Sequence, residues 1–210
     1  MRNGRFLRLM AVLALFGLLF AGCSEEKAEQ SEVQTTTQAP QPTDDTANST
    51  LPTSTTLGGR APNLTFTDAQ GDTITLESLL GEKKLVVLNF WFADCGWCRR
   101  EFPVMEVSYQ RFREDVEILA LNPYDSQQTI AAFQEESSLS FPMLSCSPDL
   151  ARAFGVNGYP TSVCIDREGT ISLIHAGAIT DKAVFDKLFE TYTASDYRSR
   201  VFNSVNELLD

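Results

Sequence analysis

The sequence predicts an α/β domain whose central mixed β-sheet is flanked by helices. Between residues 85 and 176, apolar runs of strand length alternate with segments whose apolar residues recur at helical spacing. Two cysteines, Cys95 and Cys98, stand where an apolar strand gives way to a helix. A Tyr159-Pro160 step precedes a second apolar strand further along the chain, and we expect this proline to hold an edge of backbone beside the sulfur atoms.

The N-terminus has the pattern of a bacterial export signal. Residues 1–8 are basic, and the apolar run at 9–20 is too short to span ~30 Å of hydrocarbon as a mature helix. The run ends in Phe-Ala-Gly before Cys23, which is similar to a bacterial lipobox. We therefore expect residues 1–22 to be a signal peptide and Cys23 to carry a lipid anchor. The alternative is an ordinary secreted protein with an incidental cysteine.

A change in composition separates this signal from the domain. Residues 24–60 are rich in Ser, Thr, Gln and Pro, and they hold too little apolar surface to fold by themselves. We expect residues 23–60, beginning with the lipidated cysteine, to form a disordered linker. The formal net charge of −11 argues against nucleic acid or an anionic membrane surface as a partner.

The elements of the domain follow from the apolar pattern. Residues 64–67 and 73–75 predict an N-terminal β-hairpin, and residues 76–80 a short helix. The core is then predicted as strand 85–91, helix 98–113, strand 116–121, helix 126–137, strand 141–144, helix 148–154 and strands 161–166 and 170–176. An apolar stripe at 184–192 predicts a helix that covers the sheet. A further helix at 196–209 is expected to pack on the domain, with a partner contact as the alternative.

The spacing of the two cysteines predicts a reversible dithiol. Cys95 lies at a helix N-terminus, whose free N–H groups and dipole favour a thiolate, and Cys98 lies one turn further on. Thiol–disulfide exchange needs an attacking thiolate with a resolving thiol beside it. By position, Cys95 is the nucleophile and Cys98 resolves the mixed disulfide. The redox group is then the Cys95–Cys98 disulfide itself, with no other cofactor and no metal.

These residues resemble the thioredoxin superfamily. The closer likeness is to the membrane-tethered TlpA/ResA-type thiol-disulfide oxidoreductases, because of Phe-Trp before the cysteines, Arg-Arg-Glu-Phe-Pro after them, and an inserted segment between the cysteine and Tyr-Pro motifs. The likeness covers roughly residues 61–194 and implies a thioredoxin-like fold with an inserted helix-strand segment. Residues 195–210 form a C-terminal helical extension beyond it.

The resemblance implies roles for residues beyond the cysteines. Pro160 in the cis form would leave the backbone of Tyr159 free to pair with an extended substrate segment, with a trans turn as the alternative. Glu101, one turn after Cys98, would accept the proton from that thiol, with a solvated helix glutamate as the alternative. Trp97 places a large aromatic ring beside the reactive sulfur atom, where we expect it to contact substrate.

One difference from thioredoxins proper and two departures from the TlpA/ResA pattern bear on the mechanism. Asn89 occupies the position where thioredoxins carry a buried aspartate, which shifts proton transfer to Glu101. Asp94 stands where the family usually has Trp, and its charge raises the pKa of the adjacent thiol while the helix terminus lowers it. Gly96-Trp97 replaces the more usual X-Pro pair. The reduction potential and the preferred direction of exchange stay open.

The resemblance also implies partners and a location. The expected partners are disulfide-containing exported proteins, including apocytochromes in some members, and a membrane thiol electron donor of the CcdA/DsbD kind. We therefore expect an extracytoplasmic protein, lipid-anchored at the outer face of the bacterial cytoplasmic membrane.

Other functions fit the cysteines less well. The pair supplies two zinc ligands, and the single histidine, His175, is expected to be a strand residue. A copper chaperone would need Cys-x-x-x-Cys, and peroxiredoxins carry Pro and Thr upstream of the reactive cysteine, where Leu88 and Phe92 stand. A non-catalytic tethered binding lipoprotein leaves the joint presence of both cysteines and Tyr-Pro unexplained.

Two further cysteines, Cys146 and Cys164, remain after these assignments. Cys164 falls inside a strand and is expected to be a buried, inert thiol. Cys146 starts a helix and is expected to be more exposed. A disulfide between the two is the alternative that an oxidising compartment would favour.

Overall fold

A computed structural model describes residues 54–68 and 71–197 of the 210-residue chain. The predicted signal peptide, Cys23 and the linker up to residue 53 lie outside these residues, and so does the predicted C-terminal helix beyond Tyr197. In the part that is described, no helix is both long enough and apolar enough to cross a membrane.

Strands and helices alternate along the described chain as the apolar pattern predicts. They are β1 Thr65–Thr67, β2 Thr73–Thr75, α1 Leu76–Glu82, β3 Leu85–Phe90, α2 Gly96–Phe112, β4 Val116–Asn122, α3 Gln127–Ser137, β5 Met143–Ser145, α4 Pro148–Ala153, β6 Thr161–Asp166, β7 Ile171–Ala176 and α5 Lys182–Thr193. Several helices begin at an N-cap residue whose side chain accepts a hydrogen bond from a backbone N–H of the first turn. These residues are Thr75 before α1, Ser126 before α3 and Asp181 before α5.

The central sheet has the strand order β5-β4-β3-β6-β7. The β3–β4 and β4–β5 pairs are parallel, whereas β6 is antiparallel to both β3 and β7. The hairpin of β1 and β2 forms a separate two-stranded sheet, and α3 with β5 forms the predicted inserted helix-strand segment. The predicted fold class, an α/β domain with a mixed central sheet flanked by helices, is confirmed.

The sheet separates two apolar clusters, and β3 contributes to both. Because side chains alternate along a strand, Leu85 and Val87 pack with α2 and α5, whereas Val86 and Leu88 pack on the opposite face with residues of α1 and α4. Every residue of β3 is buried, which explains its continuous apolar run. Asn89 is the exception in this run, and by the same alternation it lies on the face that α2 covers.

The backbone is ordered before the predicted start of the domain. The Gly58 N–H donates to the Ile171 carbonyl at 2.8 Å, and the Ile171 N–H donates to the Gly59 carbonyl at 2.8 Å. The Ala61 N–H donates to the Gly169 carbonyl at 2.9 Å. These bonds attach residues 58–61 to the hairpin between β6 and β7. The last residues of the segment predicted to be linker are therefore part of the fold.

Tyr197 attaches the other end of the described chain to the domain. Its buried ring lies 5.7 Å from the ring of Tyr192, and its hydroxyl donates to the Asp166 carboxylate. Arg167 lies over the Tyr197 ring and donates to the backbone carbonyls of Tyr192 and Ala194. The first residues of the predicted C-terminal extension thus pack on the domain.

Candidate active site

Cys95 and Cys98 lie where the chain leaves β3 and enters α2. Cys95 is the N-cap of this helix, because its Sγ accepts a hydrogen bond from the Cys98 N–H at 3.1 Å. This cap starts α2 at Gly96, two residues earlier than predicted. Cys95 and Cys98 form a disulfide in this structure, and Cys98 is wholly buried. After reduction, the same helix N-terminus would stabilise a thiolate on Cys95.

The loop after β4 holds the turn that carries Cys95. The Ala93 N–H donates to Oδ2 of Asp125 at 2.7 Å, and Nδ2 of Asn122 donates to the same oxygen at 2.8 Å. From the other side, Nε of Arg99 donates to the Ala93 carbonyl at 2.8 Å. Sequence analysis missed Asn122 and Asp125. The available signal was their place at the end of a strand parallel to β3, where neighbouring loops meet.

The Tyr159–Pro160 bond is cis, as the sequence predicts. Phe90 is paired with Thr161 between β3 and β6, so this bond lies at the same end of the sheet as the cysteine turn. Pro160 is buried, and its carbonyl accepts the Gly177 N–H at 2.9 Å. The strand pairing therefore brings together the two motifs that the sequence shows far apart.

Four aromatic side chains, here called the aromatic rim, surround this end of the sheet: Phe92, Trp97, Tyr124 and Tyr159. The Phe92 ring meets the rings of Tyr124 and Tyr159 edge to face, with centroids 6.1 and 5.4 Å apart. The Tyr159 hydroxyl donates to the Tyr124 hydroxyl at 3.1 Å. Trp97 is 57% exposed and Tyr124 is 63% exposed, so the rim presents apolar surface to solvent. Tyr124 was not predicted, because it follows β4 and is distant in sequence from both motifs.

Glu101 is buried on the inner face of α2, which excludes the solvated glutamate considered from the sequence. Its Oε1 accepts the Ile179 N–H at 2.9 Å, and its Oε2 accepts Nδ2 of Asn89 at 2.9 Å. Burial raises the pKa of Glu101 to about 7, although both hydrogen bonds lower it. Because Cys98 and Glu101 are three residues apart on one helix face, their Cβ atoms are neighbours at roughly 5–6 Å.

The two remaining cysteines are free thiols on opposite faces of the sheet, so the alternative of a disulfide between them is wrong. Cys164 is wholly buried and Cys146 is half-buried, and burial raises the pKa of each thiol to about 12. His175 is a half-buried residue of β7, and burial lowers its pKa. Across residues 54–68 and 71–197, no group of three or more His, Cys, Asp or Glu side chains is placed to hold a metal ion.

The family of the chain is shown by comparison with known proteins. Residues 57–174 match the model of the AhpC/TSA family. The chain belongs to this family. The chain is 36% identical over 129 residues to the thiol-disulfide oxidoreductase ResA of Halalkalibacterium halodurans, covering 60% of this chain and 72% of that relative. It is 34% identical over 131 residues to ResA of Bacillus subtilis, covering 61% of this chain and 72% of that relative.

Solved structures of thiol-disulfide oxidoreductases share this fold. A thiol:disulfide interchange protein DsbE from Chlorobium tepidum superposes with a TM-score of 0.60 at 26% identity, covering 66% of this chain and 99% of that structure. Together with the Cys95–Cys98 pair, these likenesses identify a thiol-disulfide oxidoreductase of thioredoxin-like fold. The predicted resemblance and the predicted enzyme class are confirmed.

Proposed function

We propose that this AhpC/TSA-family protein reduces disulfides of exported proteins by dithiol–disulfide exchange, while a lipid on Cys23 tethers it outside the bacterial cytoplasmic membrane. The observation that carries the proposal is the Cys95–Cys98 pair at the N-terminus of α2, with the buried carboxylate of Glu101 one turn behind it. The relatives named ResA support the exchange chemistry.

Cys95 starts the exchange when the pair is reduced. Its thiolate attacks one sulfur of the target disulfide, so a bond forms between the protein and the target while the target disulfide breaks. The released target sulfur leaves with the bonding electron pair and takes up a proton. The N–H groups at the start of α2 stabilise the attacking thiolate, which favours Cys95, the 5% exposed N-cap, over the wholly buried Cys98 as the nucleophile.

Cys98 completes the exchange. Glu101 takes the proton from the Cys98 thiol, and the resulting thiolate attacks the Cys95 sulfur, which re-forms the internal disulfide and releases the second target sulfur. Two electrons have then passed to the target. A pKa of about 7 leaves Glu101 partly ionised at neutral pH, which suits a group that must accept and later return a proton. A membrane thiol donor of the CcdA/DsbD kind then reduces the pair again.

The aromatic rim and the cis bond form the surface for the target. Trp97 and Tyr124 offer exposed rings for apolar side chains near the target cysteine. The backbone of Tyr159, held by Pro160 at the end of the sheet, supports strand-like pairing with an extended target segment.

A trapping experiment tests the order of the two cysteines. In the Cys98→Ser variant, the second step is blocked, so a mixed disulfide through Cys95 should accumulate with a disulfide-bonded peptide and be visible by mass spectrometry. Cys95→Ser is the matched control and should trap little. Trapping mainly through Cys98 would show that the roles are reversed.

The direction of exchange is tested by the reduction potential of the pair. A value near roughly −270 mV fits a reductase, whereas a value near roughly −120 mV belongs to an oxidant and would overturn the reductive part of the proposal. The measurement is an equilibration of the wild-type protein with glutathione buffers, followed by alkylation of the free thiols.

The membrane anchor is tested at Cys23. Cell fractionation should find the wild-type protein with membranes, whereas Cys23→Ala should leave unprocessed precursor or release the domain. A correctly processed Cys23→Ala protein that stays with the membranes would remove the lipid anchor from the proposal.

A further inference from the structure

Asn89 carries a buried amide whose nitrogen is hydrogen-bonded and whose oxygen is not. Its Nδ2 donates to Oε2 of Glu101 at 2.9 Å and to Oγ of Ser162 at 3.0 Å, which commits both amide hydrogens. Its Oδ1 is buried and has no hydrogen-bond partner among the described residues. An unpaired buried acceptor is costly. A half-turn of the amide would pair Oδ1 and would place the two Nδ2 hydrogens where Oδ1 now lies, so the partner that Glu101 offers, an acceptor or a donor, decides between the two arrangements.

The strands fix where this amide points. Asn89 and Ser162 are directly paired between β3 and β6, so their side chains lie on the same face of the sheet. Glu101 descends onto this face from α2, and the Ile179 N–H from the segment before α5 holds its other oxygen. Elements distant in sequence thus hold the carboxylate, and Asn89 is its side-chain partner.

We propose that Asn89 is a positioning residue that matches its amide to the protonation state of Glu101 and thereby sets the pH at which Cys98 loses its proton. With Glu101 ionised, Nδ2 donates to the carboxylate, as observed. When Glu101 is protonated, a half-turn of the amide brings Oδ1 to accept the Glu101 O–H and the Ser162 hydroxyl. The inference rests on the proposed role of Glu101 as proton acceptor.

Few other interactions change the pKa of Glu101. The hydrogen bonds from Ile179 and Asn89 are the interactions that lower the Glu101 pKa against burial, and no charged side chain of the described residues contributes to it. The titratable residues on the sheet face that α2 and α5 cover include Cys95 and Cys98 on α2, Cys164 and Asp166 on β6, His175 on β7 and Tyr192 on α5. Glu106, Asp186 and Glu190 lie on α2 and α5 as well, in contact with Ser140, Ser108 and Arg111 instead of Glu101. Of these, the oxidised cysteines do not titrate, which makes the disulfide form the simpler state for measurement.

The direct test follows the Glu101 carboxyl carbon by ¹³C NMR in the oxidised protein, without any activity assay. Asn89→Leu keeps a similar shape but removes the bond in both states. Because the charge-assisted bond to the carboxylate is the stronger of the two, we expect the Glu101 titration to move up by about one pH unit. Asn89→Asp places a second carboxylate against the first, so the two should titrate in separate steps, with one step above that of the wild type. Ser162→Ala keeps the bond to Glu101 and serves as the control, with a smaller shift than either.

Measuring the pH profile of disulfide exchange distinguishes failure of this inference from failure of the proposed function. If Glu101 is the proton acceptor, the pH profile of exchange in Asn89→Leu should move with its NMR titration. The inference would be overturned if Glu101 titrated in both Asn89 variants at the same pH as in the wild type. This holds even if Glu101→Gln slows disulfide exchange. A shifted titration with an unshifted activity profile would support Asn89 as the partner of Glu101 but overturn Glu101 as the proton acceptor. Denaturation curves confirm that each variant is folded.

Discussion

The two sides of the Cys95–Cys98 disulfide differ in solvent exposure and in chemistry. On the inner side, Glu101 and Asn89 are fully buried and bonded to one another. On the outer side, Trp97 is largely exposed and belongs to the aromatic rim. Under the proposed function, proton transfer therefore falls to buried residues and target contact to exposed ones, both close in sequence to the same disulfide.

The physical reason lies in the surroundings of each side. A carboxylate gains a strongly raised pKa only where water is excluded, as around Glu101. A target chain, in contrast, must displace water from exposed apolar rings to gain binding free energy. Substitutions on the inner side should therefore change pH dependence, and substitutions on the outer side should change affinity for the target.

The largest effect is expected in the stability of the oxidised protein against pH. Because folding raises the pKa of Glu101 from 4.5 to about 7, the folded state binds more protons than the unfolded state between these values. The stabilisation is complete below about pH 4.5, and about 3 kcal/mol of unfolding free energy is lost as the pH rises through about 7.

Glu101→Gln should remove this pH dependence, because the amide does not titrate. Denaturant unfolding at several pH values measures the free energy of unfolding of both proteins. The informative quantity is the difference between them, since other groups titrate equally in both. If the difference in unfolding free energy stayed constant between about pH 4.5 and 7, burial would not raise the pKa of Glu101.

The next effect is on the rate of exchange. Glu101→Gln should slow the release of the mixed disulfide by about 10- to 100-fold and flatten its pH profile, because no group is left to take the Cys98 proton. Stopped-flow measurement with a disulfide peptide separates this second step from the first attack by Cys95. Equal rates for the variant and the wild type across about pH 5–9 would assign proton transfer to water instead.

The outer side should show smaller effects, confined to target binding. Trp97→Ala and Tyr124→Ala should each raise the half-saturating target concentration by about 5-fold, because each removes an exposed aromatic contact. Val107→Ala is the control, since Val107 is an exposed apolar residue of α2 outside the rim. A change in the pH profile of either aromatic variant would contradict the division between the two sides.

The smallest effect is expected at Tyr159. Tyr159→Phe keeps the ring against Phe92 but removes the hydroxyl that donates to Tyr124. A single exposed hydrogen bond contributes little, so we expect less than about a 3-fold change in half-saturation. Titration with the same peptide target measures it. A change as large as that of Tyr124→Ala would mean that the hydroxyl pair, rather than the ring surface, binds the target.

Much of the fold could be predicted because its signals are local. The continuous apolar run of β3 and the helical spacing after Cys98 gave the elements around the site to within a few residues. The cis bond before β6 followed from the place of Pro160 in its motif. The place of Cys95 at a helix N-terminus followed from its position at a strand–helix turn, although the helix begins two residues earlier than predicted.

The parts that escaped prediction depend on pairing between distant segments. Asp125 supports the cysteine turn, and Tyr124 joins the rim, only because β4 lies parallel to β3. The Ile179 N–H is a backbone group, and no side-chain pattern signals it. Residues 58–61 read as linker by composition, yet they bond to the β6–β7 hairpin through backbone atoms, which composition does not report.

The attachment of residues 58–61 also separates the entry of the chain from the reactive end of the sheet. These residues join the sheet beside Gly169 and Ile171, at the start of β7, whereas Cys95 follows the opposite end of β3. Six residues of strand separate the two ends, a length of about 20 Å. Under the proposed lipid anchor, the domain is held by its far end. A tether and a target would then meet the domain at opposite ends of the sheet.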